Sequence, residues 1–429
     1  MAFRTRGYYV IPSRNQFWGP NEWRRYIDCT CEDGCNLLIF WIAGSFPSRR
    51  YPETWSYNLR HRNIEQNFYP SIIDYAHEKG LRVVLGFTPY AYDGVASFAA
   101  THPELAGRNA DGSIHRTRGI HDVGMWLCPS HPESRQFMLD YVREMYFEFH
   151  PNADGLFIES SDYGHCQCSH CSEQYFGREW EFVNQISNEV WNAKPDATII
   201  IYPVYYQLKL AVPDTRFTLF FTPHSAHITP DVLAVRCEKI YWEGLSFEKL
   251  DAAARGAKTA YEHGLDGYVA AMETFGYTQE LNGRLVTYEP FDVPWTTADF
   301  PMEDLVPRVL RFAYKFYSWN PCATEQEFQN AVALQFFANS DTEAARDLIY
   351  LCSVLQESFQ HFGRRSALAH PEDFEHQYPP EKRSQALTEY AEILSRLSAI
   401  SKKYPSHELG RTARWIVERW RASHPRTFQ

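Results

Sequence analysis

A chain of 429 residues with 44% hydrophobic content can bury a large core, and its length suits a barrel of about 250 residues with an appended region. A net charge of −11 without a basic block excludes the concentrated positive surface that nucleic acid requires, and no run of about 18 apolar residues offers a membrane span. Aromatic residues make up 16%, more than a core needs, and such rings suit the apolar faces of sugars.

The amino terminus, MAFRTRGYYVIPS, has too short an apolar stretch for the core of a signal peptide, and no Asn-x-Ser/Thr sequon occurs. The expectation is a cytoplasmic protein, and its ten cysteines read as reduced thiols rather than a disulfide framework.

Taken in order, short apolar runs alternate with amphipathic ones. A strand over Tyr8–Pro12 precedes a helix over Asn21–Cys31. A second strand, Asn36–Ile42, opens a long loop, Ala43–Asn63. Tyr69, Ile72, Ile73 and Ala76 share one face of a helix expected over Ile64–Lys79, which Gly80 ends. Leu81–Phe87 reads as strand three. After a long loop, Ser130 and Glu133 have the spacing of a capping box, with Pro132 in the first turn. Met138, Tyr141, Val142, Met145, Tyr146 and Phe149 form the apolar stripe of the helix that follows.

Strand four is Gly155–Ile158. A helix over Glu179–Asn192 leads to strands at Thr198–Tyr202, Phe217–Phe221 and Lys239–Trp242, although the connection from the fifth to the sixth has little helical signal. Leu250, Ala253, Ala254, Ala257 and Ala260 face one way on a small-residue helix, and Gly267–Met272 is strand eight. Eight strands separated mostly by helices predict an α/β fold, a (β/α)8 TIM barrel over residues 1–300. A doubly wound open sheet is the alternative, but it lacks an early phosphate-binding glycine loop. From 301 to 429 successive helical patterns predict an all-helical C-terminal region packed on the barrel, too apolar for disorder.

Barrel enzymes carry their chemistry at the carboxyl ends of the strands. Here those ends supply Trp41, Tyr90, Glu159, Tyr205, His224, Trp242, Glu243 and Glu273, an acid-and-aromatic set with no Ser/His/Asp order. Two carboxyls and several rings are what glycosidic cleavage needs: one acid to protonate the leaving oxygen, another to attack or to activate water. Glu159 is the candidate acid/base, and Glu243, on strand seven, the candidate nucleophile or second carboxylate. A carboxyl separation of about 5 Å would retain configuration and about 6.5–9.5 Å would invert it. Glu159 could instead cap the next helix or pair with a neighbouring arginine, and Glu243, which precedes Gly244, could be a helix-start acid. Glu273 is the substitute for Glu243, and Asp162 a rival that could orient a substrate amide. Trp41, Tyr90, Asp162, Tyr205, His224, Trp242 and Glu273 form the expected substrate-binding set.

The runs HPELAGRNADGS and WLCPSHPE, the segment GLFIES with the cysteines behind it, and YSWNPCATEQEFQNAVALQFF together resemble bacterial barrel glycosidases related to the α-glucuronidase and β-hexosaminidase families, uncharacterised members of which carry a Cys-x-Cys-x-x-Cys after strand four. The resemblance implies a glycoside hydrolase, with a carbohydrate as its partner and no cofactor. One departure stands out: the Asp-Glu pair that ends strand four in hexosaminidases is absent, because Ile158 precedes Glu159.

Arg49, Arg50, Arg60, His61 and Arg62 crowd the loop after strand two, and Arg14 follows strand one; such guanidinium forks suit a uronic or sulfated sugar, unless they pair with local acids such as Glu53 and Glu65. Cys166, Cys168 and Cys171, with His165 and His170 interleaved, could ligate zinc, and Cys29, Cys31 and Cys35 form a second cluster. Each reads as a lone triplet with no answering pair, so the expectation is a packed reduced loop and no metal. The alternatives kept open are a hexosaminidase-like enzyme using Glu159 and Asp162, a non-catalytic carbohydrate-binding barrel, and a metal-dependent hydrolase. Self-association is neither required nor excluded by the sequence.

Overall fold

The computed structural model describes residues 3–12, 18–56, 62–115, 125–161, 164–202, 215–223, 228–243, 250–272, 277–281, 284–288, 300–337, 341–357, 368, 371 and 374–424. Eight parallel strands close into a barrel in chain order: β1 Thr5–Val10, β2 Leu37–Trp41, β3 Arg82–Phe87, β4 Gly155–Ile158, β5 Thr198–Ile201, β6 Phe217–Phe221, β7 Lys239–Glu243 and β8 Gly267–Ala271. Closure leaves no edge, and the helices cover the outer face, so every strand reads as a near-continuous apolar run. The expected (β/α)8 fold is therefore present.

Between the strands lie α1 Pro20–Glu32, α2 Glu53–Ser56, α3 Arg62–Glu65, α4 Tyr69–Glu78, α5 Val95–Thr101, α6 Pro132–Arg143, α7 Tyr175–Ala193, α8 Pro230–Ala234 and α9 Leu250–Glu262. Two local expectations are corrected here. The helix expected over Ile64–Lys79 is two pieces, α3 and α4, because Asn67 takes a φ of 42°, which no helix tolerates, just ahead of Pro70. The Ser130 capping box does not form: the residue at the head of α6 is His131, directly before Pro132, with no side-chain cap.

The stripe on α6 continues into a π-helical turn, Glu144–Phe149, and all six stripe residues are buried. The widened turn admits the carboxylate of Glu144 to the interior, where it accepts hydrogen bonds from Ser48 Oγ at 2.5 Å and from the Arg49 and Arg50 backbones at 2.8 and 3.3 Å. The loop after β2 is thereby tied to the helical shell.

After β8 comes a short antiparallel pair absent from the sequence reading, β9 Tyr277–Leu281 and β10 Arg284–Tyr288. The C-terminal helices are α10 Leu305–Trp319, α11 Glu325–Phe337, α12 Thr342–Glu357, α13 Phe374–Gln377, α14 Pro380–Lys403 and α15 Glu408–Ser423. α10 takes the place of the eighth barrel helix. Its Tyr314 hydroxyl donates to the Tyr268 carbonyl of β8 at 2.7 Å and accepts from the Gly7 amide of β1 at 2.9 Å. Its Arg311, 6% exposed, bonds Asp33 at the end of α1 at 2.7 Å, while Tyr8 Oη donates to the same carboxylate at 2.7 Å. Burial pushes the Asp33 pKa upward and the guanidinium opposes it. No described helix is long and apolar enough to cross a membrane.

Candidate active site

Strand side chains alternate between the barrel interior and the helical layer, so one inward residue on each strand sets the parity of the rest. Rings from five strands meet inside the barrel: Tyr9 lies 5.5 Å from Trp242, 6.0 Å from Trp41 and 5.8 Å from Phe157, and Phe157 lies 4.8 Å from Phe220, centroid to centroid. On β3 the inward position is Gly86, where an added Cβ would stand 3.0 Å from Trp41 and 3.4 Å from Phe157. A side chain there would displace the rings, so the glycine is what lets this aromatic floor close. Deeper, toward the strands' amino ends, Thr5 and Thr218 both donate to Glu238 and seal the other side.

Above the floor come the residues one inward step further along each strand. Phe157 is inward, Ile158 outward, and Glu159 is therefore inward again; its amide donates to the Phe87 carbonyl at 3.2 Å, which carries the β3–β4 ladder one residue past the strand. Glu159, 8% exposed, thus follows β4 on the inward side at the carboxyl-end mouth. By the same parity Thr88, Tyr202 and Thr222 share its level, and the Tyr202 and Thr222 hydroxyls are 2.8 Å apart. Among the described residues, hydroxyls, rings and the acid Glu159 thus converge where the barrel opens.

Beside them the segment Tyr90–Gly94 is strained: Tyr90 and Tyr92 hold φ of 61° and 63°, each costing about 1 kcal/mol or more. Ser161 donates to the Tyr92 hydroxyl at 3.3 Å, linking the β3 and β4 loops directly at the mouth.

Glu243 lies elsewhere. Trp242 is inward, so Glu243 is outward, and its carboxylate meets Arg255 of α9, Nη2 at 2.9 Å and Nε at 3.3 Å. A Cβ on Gly256 of the same helix would come within 2.7 Å of the Glu243 Cβ, which places that side chain between strand and helix. Burial raises its pKa, partly offset by Arg255 and by the Tyr241 hydroxyl. The expectation that Glu243 faces Glu159 across the mouth is corrected: adjacent strand residues face opposite ways, and with Trp242 inward the acid falls on the helical side of the sheet.

Tyr90 is corrected likewise. Its left-handed backbone turns the ring against Phe182 of α7, 5.7 Å away, where it is fully buried and its hydroxyl pKa is raised by desolvation. Trp41 and Trp242 do face the interior; Trp41 is a buried floor residue at 2% exposure, whereas Trp242 is half-buried and reaches the opening. Both indole Nε1 atoms are buried without a partner among the described residues. Asp162, Tyr205, His224 and Glu273 lie outside the described residues, as do Arg14, Arg60 and His61.

Of the arginines expected to hold an acidic sugar, Arg49 and Arg50 are engaged locally. Arg50 pairs with Glu148 at 2.6 Å, and the Arg49 guanidinium stacks over Phe149 at 4.9 Å. Among the described residues the acids that meet Arg50 are Glu148 of the π-helical turn and Asp140 of α6.

The cysteine triplet after β4 is not alone. Cys128, thirty-eight residues upstream of Cys166, brings its sulfur to the other three, and all four Sγ atoms lie within 4.8 Å of one another. The signal was Cys128 in WLCPS, a loop that reaches over from β3. The Cys29, Cys31 and Cys35 sulfurs do not gather in this way: positions two apart on α1 point to different faces.

No protein-family model matches the chain, and no curated protein matches it. Solved structures do. It is similar to a GH138 enzyme targeting pectin rhamnogalacturonan II, with 13% identity and a TM-score of 0.56 over 99% of this chain and 58% of that one. It is also similar to the β-N-acetylhexosaminidase of Bacteroides fragilis NCTC 9343, with 13% identity and a TM-score of 0.51 over 78% of this chain and 70% of that one. A GH20 β-N-acetylhexosaminidase from Streptomyces coelicolor A3(2) is 15% identical with a TM-score of 0.50, covering 82% and 69%. The chain spans little more than half the length of the GH138 enzyme. At these identities the likeness is one of fold: the barrel is built as those of glycoside hydrolases are.

Proposed function

We propose that the chain is a glycoside hydrolase in which Glu159 protonates the leaving oxygen and then serves as base. The observation that carries this is the parity of β4, which sets Glu159 inward over an aromatic floor while its neighbour Ile158 faces the helices. A sugar ring resting on Trp242 would present its glycosidic oxygen to that carboxyl and its hydroxyls to Tyr202, Thr222 and Thr88. Glu243 is committed to Arg255, so the second carboxylate is sought in Asp162, three residues past Glu159, or Glu273, two residues past β8.

A hexosaminidase-like reading, with Asp162 orienting the acetamido group of the substrate, is favoured by the likeness to β-N-acetylhexosaminidases. The kinship with α-glucuronidases belongs to the same proposal. With Arg49 and Arg50 engaged elsewhere, the case for an acidic sugar no longer rests on them.

The test is a panel of aryl glycosides, uronides and N-acetylhexosaminides included, with product anomers followed by NMR. Turnover that E159Q abolishes while a ligand still binds supports the reading. Ligand binding without turnover in the unaltered protein would identify a carbohydrate-binding barrel instead.

A further inference from the structure

We infer that Cys128, Cys166, Cys168 and Cys171 form a structural zinc site that clamps the loop after β3 to the loop after β4. The geometry is that of a metal tetrahedron. Cys128 Sγ stands 3.6 Å from Cys171 Sγ and 3.7 Å from Cys168 Sγ. A tetrahedral ZnS4 centre with bonds of about 2.3 Å has edges of about 3.8 Å. A disulfide would bring two sulfurs to about 2.05 Å, so none of the four is paired that way. Around an iron–sulfur cluster the four thiolates are divided among two or four irons and those on different irons stand further apart; four within 4.8 Å suit one ion.

The surroundings fit thiolate ligands. Cys128, Cys166 and Cys171 are buried at 1% exposure or less, and Cys168 half-buried. The Arg108 amide donates to Cys166 Sγ at 3.3 Å, and the Ser130 hydroxyl lies 2.9 Å from Cys128 Sγ, donors that would spread the negative charge of a four-thiolate centre. The backbone is shaped for it as well: Cys171 and Ser172 amides both bond the Cys168 carbonyl, and Gln174 and Tyr175 amides bond that of Cys171, winding a tight turn that leads straight into α7. His165 is not a ligand, because its ring packs on Tyr175 and Phe176 at 4.8 Å, and His170 is exposed. Four sulfurs close the coordination shell, leaving no position for water or substrate, so the ion would be structural. On binding, each thiol gives its proton to solvent, four in all, and no electron is transferred.

The consequence is positional. Cys166 lies seven residues after Glu159, and Cys128 belongs to the segment whose Leu127 amide bonds the Tyr90 carbonyl. The ion would hold together the two loops that flank the barrel mouth, and it would do so whether or not the protein is a hydrolase.

Protein purified without metal-affinity resin or chelator should carry one zinc per chain by native mass spectrometry and elemental analysis. C128S and C168S should each reduce this below about a fifth of an equivalent, with C322S, an exposed cysteine outside the cluster, unchanged. Should the cluster variants not fold, the unaltered protein still decides the matter: a mercurial titration should release a single zinc as four thiols are blocked, and cobalt exchange should give the absorption of a tetrahedral thiolate site. Metal-free protein with four free thiols overturns the inference. So does a disulfide among the four cysteines, or iron in place of zinc.

Discussion

Substituting Glu159 and Glu243 separately by glutamine distinguishes a carboxyl that does chemistry from one that supports the wall, since glutamine keeps the size of each. For E159Q the shape of the mouth is preserved and only the transferable proton is lost. General acid–base help is worth roughly 10²–10⁴-fold, so kcat should fall by that factor, about 3–5 kcal/mol in the barrier. For E243Q the same oxygen that took both Arg255 bonds, at 2.9 and 3.3 Å, can still accept from the guanidinium. That guanidinium is 53% exposed and shared with Asp251 at 3.0 Å, so solvent discounts the ion pair and stability should change by no more than about 1 kcal/mol. Turnover should stay within about fivefold of the unaltered protein, because no reacting group is touched.

A third variant, R255A, completes the comparison by leaving Glu243 buried without its cation, which should cost about 1–3 kcal/mol near neutral pH. The pH sign follows from the raised pKa of Glu243. A group protonated more readily when folded favours the fold below its unfolded pKa, and that contribution is lost as pH rises through the folded value. The R255A defect should therefore shrink toward pH 4 and be full at pH 7. Steady-state kinetics on the aryl glycoside that turns over, with urea melts at both pH values, supply the readouts. If E243Q lost activity as E159Q is expected to, while E159Q kept it, the assignment from strand parity would be wrong.

Arg311→Met should destabilise by about 3–5 kcal/mol, because Asp33, 5% exposed, would keep the Tyr8 hydroxyl and the more distant charge of Lys315 but lose its paired guanidinium; a chemical-denaturation midpoint shows it. His150 is fully buried, with one ring nitrogen 2.8 Å from the Met145 carbonyl and its pKa depressed by desolvation to about 4. Since the unfolded chain takes up that proton first, near pH 6.5, stability falls as pH drops from there to 4, by about 3 kcal/mol in full. H150Q should move the acid-unfolding midpoint to lower pH relative to its own neutral stability. Trp242→Ala removes the half-buried ring at the opening and should raise KM several-fold with a smaller change in kcat, which a Michaelis–Menten comparison would reveal.

Periodicity carried the architecture. The alternation of short apolar runs with 3.6-residue stripes was enough for eight strands, their order and the acid at the end of β4, because burial on both faces dictates composition residue by residue along the chain. Glu159 was legible for that reason: a carboxylate directly after a fully apolar strand has few places to go but the mouth. The side on which Glu243 falls was not legible. Trp242 and Glu243 are adjacent and must face opposite ways, and which of them turns inward depends on the register of β7 in the closed sheet, where a shift of one residue reverses inward and outward. Tyr90 escaped for a related reason, since its left-handed backbone, not its residue type, turned it toward α7.

Relations across the chain required the closed barrel. Nothing local in α10 marks it as the eighth barrel helix rather than the first of the C-terminal set; the bonds of Tyr314 to β1 and β8 do. Arg49 and Arg50 found their partners on a π-helical turn nearly a hundred residues away. Cys128 stands too far along the chain from Cys166 for any spacing rule to join them, and only the adjacency of β3 and β4 brings the two loops side by side. Short-range hydrophobic pattern determines which segments form and what they bury, while the meeting of distant side chains is a property of closure, in which every strand gains two neighbours that the linear order of residues does not reveal.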